Sequence, residues 1–147
     1  MTSSYAGEPP RADRCHLASV TRSSSTYNIG GGVDAPAVGR REILGRYDWP
    51  SQRLRDAAAL MLAEVMANAV LHGGVRADEE VRVDVEIADR TVTFSVFDRG
   101  PGFERPAPDA AAASGGFGLI IVDRLAQRWG VDRGAEGTRV WFALALA

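Results

Sequence analysis

The chain has 147 residues, 46% of them hydrophobic and 24% charged, with a formal net charge of -2. That balance suits one ordinary domain with a sizeable core, and it excludes both wholesale disorder and a general nucleic-acid surface. All 17 basic residues are arginine, which rules out a P-loop lysine, a Schiff-base lysine and the strand lysine of ordinary protein kinases, and leaves arginine as the cation for phosphate or carboxylate. Cys15 is the single cysteine, so no internal disulfide forms, and His16 and His72 are too few for a histidine-rich metal site. No apolar run is long enough to span a bilayer, so cytoplasm is the expected compartment and no membrane partner is expected.

Residues 1–16, polar and carrying Pro9-Pro10, read as a flexible leader, with one domain expected over 17–147. Leu17 to Tyr27 permits an edge strand of poor alternation. Asn28 to Val33, with Gly30-Gly31-Gly32, reads as a loop, since neither a clean strand before it nor a lysine after it supports a phosphate cradle. Asp34 and Pro36 open a helix expected to reach about Tyr47, with Val38, Ile43, Leu44 and Tyr47 inward. Its Arg40, Arg41 and Arg46 form either a partner-binding face or a solvated one.

Pro50-Ser51 begins a second helix that runs through Ala57-Ala58-Ala59-Leu60-Met61-Leu62-Ala63-Glu64-Val65-Met66-Ala67-Asn68-Ala69-Val70-Leu71-His72 to Gly73-Gly74. Glu64, Asn68 and His72 stand four apart and so share one stripe of an otherwise apolar surface. Glu64 and Asn68 are either a hydrogen-bonded pair on an exposed edge or part of a magnesium phosphate site, because magnesium takes oxygen ligands and keeps several waters.

Val81, Val83, Val85 and Ile87 alternate with Arg82, Asp84 and Glu86, which describes a half-buried strand. Ala88-Asp89-Arg90 turns into a second alternating strand through Val92, Phe94 and Val96, making a hairpin that ends in Asp98-Arg99-Gly100-Pro101-Gly102-Phe103. A flap of alanine and proline follows, and Gly115-Gly116-Phe117-Gly118-Leu119 leads into a third helix through Ile120, Ile121, Val122, Leu125 and Ala126. Trp129-Gly130-Val131 is expected as a brief strand, Asp132 to Glu136 as a turn, and Thr138 to Leu146 as the last strand. Two helices, a hairpin, a crossover helix and final strands imply an α/β two-layer sandwich whose mixed, largely antiparallel sheet carries helices on one face.

Glycines at Gly100 and Gly102 permit close approach to a ligand beside Asp98, and glycines at a helix N-terminus bring free amides and the helix dipole to phosphate. The order of these parts resembles the histidine-kinase-like ATPase superfamily, and within it the chain is similar to bacterial anti-sigma-factor serine/threonine kinases. The segment Glu64 to Gly73 matches the asparagine box, Asp98 to Phe103 the first glycine box, Gly115 to Ile121 the second, and Gly137-Thr138 the closing motif. The match spans roughly Ala35 to the C-terminus.

That resemblance implies ATP and Mg2+ as cofactors. It makes Asn68 the magnesium ligand, Glu64 the catalytic base, and Asp98 the acceptor for the adenine amino group. It further implies that Gly100 and Gly102 shape the purine pocket, that Gly116, Phe117, Gly118 and Leu119 form the phosphate-side turn, and that Thr138 contacts the adenine side. The implied partners are a sigma factor and a small anti-sigma-factor antagonist phosphorylated on serine or threonine, with homodimerisation also expected and no direct nucleic-acid binding. The alternative is an ATP-binding regulatory protein without phosphotransfer, which the short flap, with Arg105 as its cation, favours; Glu64 favours the kinase.

Overall fold

A computed structural model describes residues 14–71, 75–98 and 117–146. The element order is β1 (Cys15–His16), β2 (Arg22–Gly30), α1 (Ala35–Leu44), β3 (Tyr47–Asp48), α2 (Gln52–Leu71), β4 (Glu80–Ala88), β5 (Thr91–Asp98), α3 (Phe117–Leu125), β6 (Arg128–Gly134) and β7 (Gly137–Ala145). Five strands form one sheet in the order β2-β4-β5-β7-β6, with every neighbouring pair antiparallel, and β1 pairs with β3 in a small parallel ladder. The expected two-layer α/β sandwich is therefore present.

The alternation seen in the sequence sets the layers. Val81, Val83, Val85 and Ile87 of β4 pair laterally through Val83–Val96, Val85–Phe94 and Ile87–Val92 with β5, which in turn pairs through Val96–Val140, Phe94–Phe142 and Val92–Leu144 with β7. All of these side chains are buried beneath the helices. Phe94 stacks on Phe142 with ring centroids 5.1 Å apart and on Trp49 at 6.3 Å. From α2 the core receives Ala58, Met61, Leu62, Val65, Met66 and Ala69, which recur on one face of the helix. Gly39 of α1 lies directly against the sulfur of Met66, where a Cβ would collide, so α1 packs closely on that flank of α2.

Several boundaries differ from the sequence expectation, each for a tertiary reason. The segment Asn28–Gly30, expected as loop, continues β2, because it pairs in register with Glu80–Arg82 and buries Ile29. Helix α1 ends at Leu44 and Tyr47 enters β3, where its hydroxyl meets that of Tyr27 at 2.8 Å. Burial, followed by the Tyr27 contact, pushes the Tyr47 phenol far up. Asp132 to Gly134, expected as turn, extends β6, since Asp132 pairs with Arg139 and Arg133 with Thr138. The hairpin between β4 and β5 turns on Asp89 and Arg90, both at positive φ (52° and 59°), as a two-residue turn matching strand twist requires. Most of the expected leader and the flap lie outside the described residues. Within the leader's expected span, Cys15 and His16 form β1, and His16 Nδ1 stands 2.9 Å from Asp48. Among the described residues no helix is long and apolar enough to cross a membrane.

Candidate functional site

One step beyond the apolar rows of the sheet, the chemistry changes. Continuing β5 past Val96 on the same face brings Asp98, which pairs with Thr138 of β7, and Thr138 in turn pairs with Arg133 of β6. Strand alternation therefore puts a carboxylate, a hydroxyl and a guanidinium in one row on the helix side. Asp98 is 8% exposed and Thr138 2%, so both are shielded and demand hydrogen-bond partners. A cleft opens at this end of the sheet, lined by Asp98, Arg133, Gly137 and Thr138 together with Val75 and Glu79 from the segment after α2. It continues around the strand ends to Arg82, Phe97 and Arg139 on the outer face.

Helix α2 supplies the second polar group. Glu64 and Asn68 are half-buried and flank its buried stripe, nearly opposite Met66 on the helical wheel and hence away from α1. Among the described residues neither side chain makes a hydrogen bond or ion pair. The hydrogen-bonded pair on an edge, one of the two sequence readings, is thus absent. What remains is a carboxylate and an amide oxygen with open hydrogen-bonding capacity, one turn apart. That donor set fits magnesium through a single amide oxygen, with water and phosphate completing the shell. Among the described residues no cluster of three or more His, Cys, Asp or Glu could hold a metal by itself.

Helix α3, which also packs against α2, begins at Phe117, with Gly118 in its first turn and Leu119 buried at 5% exposure. Gly100, Gly102 and Gly116 lie outside the described residues, as do His72, Gly73 and Gly74. Arg133 escaped sequence reasoning because Asp132-Arg133-Gly134 has the composition of a turn; only pairing with β7 aligns it beside Thr138. Its signal would have been the Asp132 and Arg139 charges, which meet across the strands at 2.7 Å.

The outer face is a separate polar surface. Arg82 grips Asp84 (2.6 Å) and lies 4.4 Å over the Phe97 ring, while Arg139 donates to Ser95 (3.0 Å) and Asp132. Burial alone would raise the Asp84 carboxyl, but hydrogen bonds from Arg82 and Thr26 more than offset it and hold it below the usual range. In the small β1–β3 ladder, burial pushes the Cys15 thiol up, which disfavours the reactive thiolate.

No curated protein matches the chain closely enough to count as a relative. A family model described as the histidine kinase-like ATPase domain matches residues 39–144, a span that contains α2, the Asp98–Thr138 row and α3. ATP is the ligand of such domains, typically with magnesium. The chain belongs to the histidine kinase-like ATPase domain family.

Proposed function

We propose that this protein is an ATP-dependent anti-sigma factor and protein serine/threonine kinase, binding a sigma factor and phosphorylating a small anti-sigma-factor antagonist. The observations that carry the chemical part are a buried Asp98–Thr138 row at one end of the sheet and a Glu64–Asn68 stripe on the covering helix whose side chains make no hydrogen bond or ion pair among the described residues. The partner classes rest on the sequence resemblance.

In this reading Asp98 accepts the hydrogen bond from the adenine amino group and Thr138 contacts the same edge. Amides at the start of α3 receive the phosphates, where the helix dipole favours negative charge. Magnesium, when bound, supplies charge neutralisation at the phosphoryl oxygens, and Asn68 is the residue that would hold it. Glu64, one turn from Asn68, accepts the proton of the serine or threonine hydroxyl. The hydroxyl oxygen forms the new bond to the terminal phosphorus as the bond to the ADP oxygen breaks. The exposed Arg40, Arg41 and Arg46 around α1 form the sigma-factor surface, arginine being suited to carboxylates on a protein partner.

The test is transfer of label from ATP, with magnesium, to candidate antagonists, beside the Glu64→Gln variant. Glutamine keeps size and polarity but removes the base, so ATP binding should persist while transfer falls about 10²-fold or more. Wild-type protein that binds ATP and its partner yet never transfers phosphate would establish the alternative, a nucleotide-gated regulatory protein.

A further inference from the structure

The three glycines between β2 and α1 have no part in the site described so far, yet they are not alike. A Cβ on Gly30 would meet nothing within 4 Å, whereas one on Gly31 would land on the Arg76 carbonyl oxygen, 2.9 Å from Cγ1 of Val75 and 3.0 Å from the Glu79 carbonyl oxygen. Gly32 stands at positive φ (106°), and its carbonyl accepts from the Ala35 amide at the start of α1. The chain therefore needs glycine at Gly31 for a close approach and at Gly32 for the turn into α1.

What Gly31 approaches is a wall of the cleft. Val75 and Glu79 line that cleft together with Asp98 and Thr138. The segment they bound is a closed turn: the Glu79 amide donates to the Arg76 carbonyl at 3.0 Å, and the Glu79 carboxylate accepts from the Arg76 guanidinium at 3.1 Å. Gly31 ties this turn to the sheet. Its amide donates to the Glu79 carbonyl at 2.7 Å, which carries the β2–β4 ladder one step past its last pair, Gly30–Glu80. Val75 is 8% exposed and belongs to the same core cluster as Ile29 and Val81. Among the described residues it is the one aliphatic side chain lining the cleft.

We infer that Gly31 is a positioning residue for nucleotide binding: lacking a side chain, it lets the Val75–Glu79 turn seat against the end of the sheet, where Val75 forms the apolar wall for the face of the purine. This rests on the nucleotide reading of the Asp98–Thr138 row. A flat heterocycle whose edge hydrogen-bonds to Asp98 has faces that gain from apolar contact, and Val75 supplies it. A side chain at Gly31 would have to push back main-chain oxygens of Arg76 and Glu79 as well as Val75. Main-chain atoms held in a turn do not swing aside as the tip of a long side chain does, so the wall would move with them.

Calorimetry of magnesium-ATP binding to wild type, G30A, G31A, V75A and the G31A/V75A pair, with folding checked by circular dichroism, tests this. G31A should weaken ATP binding about tenfold or more and V75A by a similar factor, while G30A binds like wild type. Because Gly31 acts through Val75, the double variant should lose little more than the larger single loss, not the product of the two. A structural role alone would lower the melting temperature of G31A and leave the ATP affinity of its folded form unchanged, and that result would overturn the inference. So would losses that multiply in the double variant. A measurement on wild type stands apart from the folding of any variant: with magnesium-ATP bound, the Gly31 amide should exchange with solvent more slowly, because ligand and turn stabilise each other reciprocally. Unchanged exchange would contradict the inference. Wild-type protein that binds no ATP would overturn the nucleotide reading itself, and this inference with it.

Discussion

The middle and the open end of the central strands share one face of the sheet but differ in chemistry. In the middle, Phe94 and Phe142 face each other across β5 and β7 and are fully buried among aliphatic neighbours. Two residue pairs further on, Asp98 and Thr138 occupy the equivalent positions, with almost the same shielding but polar side chains. Identical backbone geometry thus carries an apolar pair in one place and a polar pair in the other. Apolar rows gain from excluding water, whereas a shielded carboxylate and hydroxyl need hydrogen-bond partners, to which a bound nucleotide adds one on the proposed reading.

If the comparison is right, substitutions in the two places should separate stability from binding. Phe142→Ala should have the largest effect, destabilising the fold by about 3–5 kcal/mol through lost burial and the cavity left against Phe94. Chemical denaturation measures it; a loss near zero would mean that the row does not bear on the core. On the binding side, Asn68→Ala should leave stability close to wild type, because its side chain has no partner among the described residues. It should weaken nucleotide binding by about tenfold or more with magnesium and much less with a chelator, as expected for a lost oxygen ligand. Equal losses under both conditions would assign Asn68 a contact to the nucleotide itself.

The alternation of β4 and β5 and the four-residue spacing of Glu64 and Asn68 were legible in the sequence because each is a local period read directly as a face. The pairing of Asp98 with Thr138 was not, since the two are joined only by sheet register across a long separation in sequence. Strand β2 was obscured for another reason: Ser23-Ser24-Ser25 has no apolar alternation, and its extended form comes from pairing with β4. Asp132 to Gly134 likewise reads as a turn until Arg139 and Thr138 hold it in the ladder, and Arg133 was missed with it. The hairpin turn was placed correctly, yet its two positive-φ residues are Asp89 and Arg90 rather than the asparagine-glycine pair that announces such turns.

A smaller effect sharpens the contrast with the outer face. Because Asp84 is held below the usual carboxylate range, its contribution to stability is present above the unfolded pKa and lost as pH falls through its lowered folded value. Asp84→Asn should therefore remove that part of the acid dependence, and melting curves of variant and wild type should converge at the acid end. Nucleotide affinity should not change, since Asp84 lies on the face away from the Asp98 row. Parallel melting curves at every pH would show that the Arg82 contact carries no net stabilisation.

The most direct test of the central claim is calorimetry of magnesium-ATP binding to wild type and Asp98→Asn, with folding checked in the same samples. The amide exchanges an acceptor for a donor opposite the adenine amino group while preserving shape, so affinity should fall by about 1–3 kcal/mol with stability nearly intact. ATP binding by the variant at wild-type affinity would contradict the placement of adenine at the Asp98–Thr138 row.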